Sequence, residues 1–306
     1  MEEPIAQEPS ADSTPRTLPR KRWSDRSDGR LVRRIDPFIR FFPFVMKGRN
    51  DSSIYYTQRV DATALLSYLE QKNQNRDRRT TVFHAVLAAM VHTVHTRPAL
   101  NRFVIGRRLY QPDTIDIAFI VKREFNEKAQ EEVVRYTFSE NDTIDTISAK
   151  ILGEVIKVRS APETSRGAIH ILEGFLRLPR ILLMGLVKLL ELLDFYGILP
   201  RSIIQVDPMH TSAFVSNLGS IGTDAPYHHL YEWGTTSIFA VIGVIHKEPA
   251  VMPDGSIQAR DVMNIVFTLD ERIGDGFYYA KAIRRMTDLL EHPSLLEIPP
   301  SQTTEA

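Results

Sequence analysis

The chain has 306 residues, 43% hydrophobic and 25% charged, with 38 basic side chains balancing 38 acidic ones. That balance belongs to a folded globular protein and excludes a disordered or fibrous one; zero formal charge also excludes a whole-molecule field drawing the protein to nucleic acid or anionic lipid. With no cysteine there is no disulfide, thiolate nucleophile or cysteine-ligated metal, which suits a cytoplasmic location.

Residues 1–32 hold Pro4, Pro9, Pro15 and Pro19 among serine, aspartate and arginine. Such a composition buries too little apolar area to offset its ordering entropy, so a disordered basic arm is expected. It contains no apolar segment of the kind a secretory signal needs. The folded domain is expected over 33–296, with a flexible tail over 297–306. Ser53–Val60 is rich in β-branched and aromatic residues and predicts a strand. Asp61 then caps a helix through Gln74, with Leu65, Leu66 and Leu69 on one face. A second helix is predicted over Thr80–Thr96, stopped by Pro98. Leu109–Tyr110, Thr114–Lys122 and Glu132–Phe138 read as strands, and Asp142 or Thr143 caps a helix through Lys157.

Pro179–Tyr196 predicts a helix that is apolar nearly all round and ends at Gly197 and Pro200. Such a surface asks for cover: burial, a subunit contact, or an amphipathic lid or membrane-surface helix. Its most apolar stretch, Ile181–Leu193, is interrupted by Lys188 and Glu191 and is shorter than the roughly 20 apolar residues that span a bilayer. Three further strands are predicted at Ser212–Ser216, Ser237–Val244 and Val262–Leu269, and a closing helix at Gly276–Glu291. Helices and strands mix without strict alternation, which favours a two-layer α/β sandwich on a mixed sheet.

Chemistry concentrates in two blocks. The first is Thr268-Leu-Asp-Glu-Arg-Ile-Gly-Asp-Gly276, where a strand enters a helix through a charged turn, and the second is Ala213-Phe-Val-Ser-Asn-Leu-Gly-Ser-Ile-Gly222. As bare chemistry, the first could be an exposed helix start with Asp275 at the positive end of the helix dipole. The second could be a tight turn that needs Gly219 and Gly222 for backbone freedom. Together they resemble the catalytic domain of the 2-oxoacid dehydrogenase acyltransferases (dihydrolipoyl acyltransferases) and chloramphenicol acetyltransferase. That family's turn reads Asp-His-Arg-x-x-Asp-Gly, and Asp270, Arg272, Asp275 and Gly276 match it; its serine segment reads Ser-Asn-Leu-Gly-x-x-Gly. A weaker likeness runs through Tyr55–Leu69 and Phe83–Asn101, so that coverage extends over about residues 33–295.

The resemblance implies a chloramphenicol acetyltransferase-like fold, a homotrimer with active sites between subunits, and coenzyme A or another pantetheine or lipoyl thioester as substrate. It implies that position 271 is the general base, where this chain has glutamate in place of histidine. It also implies that Ser216 donates to the oxyanion and that Asp275 pairs with an arginine near the N-terminus, with Arg33 and Arg34 as candidates. Ser220, Asn217, Arg272, Gly276 and His229 are secondary candidates. Replacement of the histidine leaves open a non-catalytic scaffold or interaction protein. No lipoyl domain or subunit-binding segment precedes the fold, which argues against a subunit of a 2-oxoacid dehydrogenase complex.

The pair His228-His229 does not match the His-His-x-x-x-Asp-Gly of condensation-type acyltransferases, because Trp233-Gly234 follows it, and it reads as packing or hydrogen-bonding groups. His84, His92 and His95 share a helix that offers no carboxylate or cysteine to complete a metal site, so no metal is expected. Phosphate-loop and dinucleotide fingerprints are absent, and no nucleic-acid partner is expected.

Overall fold

The computed structural model of the protein describes residues 20–122, 131–160, 174 and 176–303. The expected arm over 1–19 and the tail residues 304–306 lie outside them. Among the described residues there are nine strands: β1 (Arg30–Leu31), β2 (Ser53–Asp61), β3 (Phe103–Ile105), β4 (Arg108–Gln111), β5 (Ile115–Lys122), β6 (Glu131–Phe138), β7 (Ala213–Asn217), β8 (Ile238–Val251) and β9 (Ile257–Asp270). The helices are α1 (Pro37–Val45), α2 (Thr63–Lys72), α3 (Val82–Thr96), α4 (Ile144–Ser160), α5 (Arg180–Phe195), α6 (Arg201–Val206) and α7 (Gly276–Glu291).

Six strands form one sheet in the order β2-β9-β8-β7-β5-β6, and β1-β4-β3 form a smaller one. Within the large sheet β7 runs parallel to both β5 and β8 while the other pairs are antiparallel, so the sheet is mixed. Strand alternation divides its side chains between two layers. Met263, Ile265, Phe267 and Leu269 of β9, with Ala213 and Val215 of β7, pack into the main core with Leu65 and Leu69 of α2, Val86 and Met90 of α3, Ile147 and Ile151 of α4, and Met286 and Leu290 of α7. Phe214, Phe239 and Val241 point to the other face, where Leu230 covers them. This is the two-layer sandwich expected from the sequence.

Three expectations need correction. Residues 20–32 are not a disordered arm: Arg26 is buried, bonds Asp194 Oδ1 at 2.7 Å and the Asp194 carbonyl at 2.8 Å, and lies over the Phe103 and Tyr110 rings. A charge so placed is stable because it is paired and bonded on several sides. The tail is not flexible over 297–303, where Ser301 N bonds the Glu140 carbonyl and Thr303 Oγ1 lies 2.9 Å from His92 Nε2. Strands β8 and β9 extend beyond their predicted ends as a long hairpin, with Pro249 paired to Ala259 in its outer part. A proline there falls outside the six-stranded body, where one missing donor is tolerated.

Candidate active site

The turn after β9 is built on a buried ion pair. Asp270 is fully buried and its carboxylate accepts from Arg272 Nε at 2.8 Å and Nη2 at 2.7 Å, in the bidentate geometry that fixes both groups. The same carboxylate accepts from Arg272 N at 3.1 Å, which closes the short 3₁₀ turn Glu271–Ile273, and Tyr279 Oη donates to the Asp270 carbonyl at 2.6 Å. Arg272 also donates to the carbonyls of Met46 and Lys47 at 3.3 Å, tying the turn to the segment after α1. Arg49 lies behind it, with Nε 4.0 Å from Asp270, while Glu232 accepts from the backbone of Arg49 and Asn50 at 3.0 Å. Burial pulls the Arg49 guanidinium down to about 10, against the opposing pull of Asp270. Glu232 is held below the usual carboxylate range: burial raises it, but bonds from Asn50 and Arg49 outweigh that.

On this base Glu271 is exposed, and among the described residues no hydrogen bond or ion pair holds its carboxylate. Asp275 is exposed too. It caps α7 by accepting from Tyr278 N at 2.7 Å. The expected pairing of Asp275 with Arg33 or Arg34 is not found among the described residues: Arg33 pairs with Asp25 at 2.9 Å, and the buried carboxylate of the turn is Asp270. The arginine near the N-terminus that serves this turn is Arg49, which nothing local in the sequence singled out. Gly276 opens α7 directly after the cap and is exposed.

Ser216 lies near the end of β7, on the face of Phe214, half-buried, with no hydrogen bond to its hydroxyl among the described residues. The following turn is fixed by glycines. A Cβ on Gly219 would meet the Gly243 carbonyl oxygen at 2.3 Å, and Gly222 sits at φ 77°. Leu218 N bonds the Ile242 carbonyl at 3.0 Å across this approach. Ser220 Oγ donates to the Asn217 carbonyl at 2.8 Å and Asn217 Oδ1 accepts from Ser220 N at 3.3 Å, so both secondary candidates are engaged in the turn itself. His229 is exposed with Nδ1 2.9 Å from the Leu230 carbonyl, and His228 stacks on Phe239 at 3.9 Å.

Register places the two blocks apart. Ser216 is level with Val241 and Val241 with Val266, so Glu271 lies five residues further along β9 and its turn. At about 3.4 Å per residue, and with two strand spacings of about 4.8 Å across the sheet, the two are on the order of 19 Å apart within one chain. One subunit therefore does not bring them together.

The helical histidines are structural. His84 Nδ1 accepts from Thr81 N at 3.0 Å in a capping box, and burial takes both His84 and His92 down to about 4. His210 is a buried exception, with Nδ1 2.9 Å from Asp207 and Nε2 3.6 Å from Asp194. Burial pulls its pKa down, but the two carboxylates outweigh burial and leave it raised. Among the described residues no cluster of metal-ligating side chains is found.

Residues 202–298 match the family model of the 2-oxoacid dehydrogenases acyltransferase (catalytic domain). Among solved structures, a probable dihydrolipoamide acetyltransferase of Listeria monocytogenes is 17% identical, covering 85% of this chain and 94% of its own at a TM-score of 0.56. The dihydrolipoamide acetyltransferase of Azotobacter vinelandii is 14% identical, with coverages of 87% and 94% and a TM-score of 0.56. A chloramphenicol acetyltransferase is 15% identical, with coverages of 86% and 99% and a TM-score of 0.51. At these identities the likeness establishes the fold. No curated protein matches the sequence.

Proposed function

We propose that this chain, which has the acyltransferase-core fold and matches the 2-oxoacid dehydrogenase acyltransferase catalytic-domain family over residues 202–298, transfers acyl groups from coenzyme A or a related pantetheine or lipoyl thioester, at sites shared between neighbouring subunits of a homotrimer. The observation that carries this reading is the turn after β9: a buried Asp270–Arg272 pair rigidly presents an unengaged Glu271 carboxylate to the surface. In the Azotobacter enzyme a serine, a histidine and an asparagine have been investigated for their roles in the catalytic mechanism; the last two stand four positions apart, the same step that separates Glu271 from Asp275. Because Ser216 and Glu271 of one chain lie far apart, a site using both requires two subunits.

In that site the Glu271 carboxylate takes the proton of an acceptor thiol or hydroxyl as its sulfur or oxygen attacks the thioester carbonyl. Ser216 Oγ–H of the adjacent subunit donates to the resulting oxyanion, a contact worth several kcal/mol in comparable sites. Collapse of the tetrahedral intermediate expels the pantetheine thiolate, which recovers the proton. Asp275 keeps α7 and its N-terminal turn in place.

One observation favours a second reading, a scaffold without chemistry: no described group orients Glu271, whereas working bases are held by a third group. Calorimetric titration with coenzyme A, followed by acyl-transfer assays of Glu271→Gln and Glu271→His, separates the two. The acyltransferase reading expects binding, a large loss in Glu271→Gln and about a tenfold gain in Glu271→His, since an imidazole at about 6.5 is well matched to a thiol at about 8.5. No coenzyme A binding and no activity in any variant would leave the scaffold.

A further inference from the structure

Helix α5 carries a long run of exposed apolar side chains. Ile181 is 83% exposed, Leu182 59%, Met184 56%, Leu192 53% and Leu189 50%, and the apolar run continues through Leu176 before the helix and Tyr196 and Ile198 after it. Its inner stripe, Leu183, Leu186, Leu190 and Leu193, is half-buried. The helix is fastened at its C-terminal end, by Asp194 to Arg26 and by the close approach of the Phe195 carbonyl to Gly106.

At about 100° per residue, the exposed apolar positions run from Val187 through Met184, Ile181 and Leu192 to Leu182, an arc of about 220°. A packed helix partner covers a stripe of about 100° or a little more, so a single flat protein face would leave much of this arc in water. Lys188 and Glu191, bonded to each other at 2.9 Å, also lie on this arc, so the cover must be a fluid boundary that takes apolar side chains and lets long charged ones reach the headgroups. The helix does not span a bilayer: no helix among the described residues is long and apolar enough to cross a membrane, and 16 residues rise only about 24 Å.

The charge pattern selects the surface. Exposed Arg177 and Arg180 flank the N-terminal end and Lys188 lies on the outer face, where Glu191, bonded to it at 2.9 Å, is the only exposed acid of the helix. At the other end, three residues before the buried Arg26, Trp23 is fully exposed at 101%, with exposed Arg20 and Arg22 beside it. Apolar side chains with a tryptophan at one end and exposed arginines at both ends, on a protein of zero formal net charge, match the boundary between headgroups and acyl chains of an anionic bilayer. We infer that α5 and the Trp23 segment form a docking face for the surface of an anionic phospholipid membrane, with the helix lying in its plane.

The test is co-sedimentation of the full chain with vesicles of phosphatidylcholine containing about one-third phosphatidylserine, an anionic surface that attracts basic residues. The expected result is binding that weakens at least tenfold in Ile181→Ser/Leu192→Ser and in Arg177→Glu/Arg180→Glu. Both pairs are exposed, and an unchanged circular-dichroism melt confirms that each variant is folded. Trp23 emission should shift to the blue on vesicles, and that shift should be absent in Trp23→Phe. Equal partitioning of wild type and variants overturns the inference. So does a wild type that ignores vesicles but forms a larger assembly that the Ile181→Ser/Leu192→Ser variant disperses, because a second copy then covers the helix.

Discussion

Replacing Asp270 by asparagine should destabilise the protein severely, while the same change at Asp275, five residues on, should be almost silent. Asp270 is fully buried and its carboxylate accepts two charge-assisted bonds from Arg272, at 2.7 and 2.8 Å, with Arg49 4.0 Å away. Asparagine keeps the shape but removes the negative charge between two buried guanidinium groups and turns one acceptor into a donor facing a donor. Losing two charge-assisted bonds at roughly 1.5–3 kcal/mol each agrees with the roughly 3–5 kcal/mol typical of an orphaned buried charge, so about 4 kcal/mol is expected. For a domain of this size that corresponds to a fall in Tm of about 12 °C. Asp275 is exposed and acts as a helix N-cap, a role asparagine fills about as well as aspartate, so Asp275→Asn should stay within about 0.5 kcal/mol of the parent. Calorimetric melts of both variants, with Arg272→Met and the Asp270→Asn/Arg272→Met double variant to close a cycle, measure the coupling. A folded Asp270→Asn protein melting within about 2 °C of the parent would refute the assignment of the clamp.

Two further outcomes follow from the same structure. His210 has a raised pKa, so its contribution is present below about 6.5 and is lost as pH climbs through its folded value, whereas His84 and His92, lowered to about 4, cost stability as pH falls from about 6.5 to about 4. Melts across pH should therefore decline on both sides of about 6.5, by up to about 3 kcal/mol on the acid side from His84 alone, and His210→Gln should flatten only the alkaline side; an unchanged alkaline limb would exclude His210 as its source. Gly219→Ala forces a methyl to within 2.3 Å of the Gly243 carbonyl and should cost about 1–3 kcal/mol and weaken coenzyme A binding, which melting and calorimetry would show, and a variant equal to the parent in both would mean that the β7 turn yields freely.

Where local periodicity decides structure, the sequence is readable. Helix α3, predicted over Thr80–Thr96, is found at Val82–Thr96, and Gly276–Glu291 is found at its predicted ends, because each carries its apolar face and its stop signal in its own residues. The two motif blocks are likewise local, and both form the turns their residues imply. What could not be read depends on distant partners. Arg26 looks like any arginine of a polar arm until Asp194 is placed beside it. Composition gives the turn two aspartates but does not say which points inward; Arg49 and the end of β9 decide that. Helix α5 announces an apolar surface, but leucine spacing alone does not say whether the cover belongs to the same chain.

The strand order also governs when the molecule can become itself during synthesis. Among the described residues strand β2 pairs only with β9, Ser53 opposite Asp270, and β9 fills the gap between β2 and β8. More than two-thirds of the chain must therefore leave the ribosome before the strand nearest the N-terminus in the large sheet finds its neighbour, and closing so long a loop makes this a slow, late event. Until then β2, with Tyr55 and Tyr56 at its surface, is an unsatisfied edge inviting association with other nascent chains. The segment that completes the sheet also carries Asp270, Glu271 and Arg272, so a chain cut short before them loses its sheet closure and its candidate chemistry in the same step.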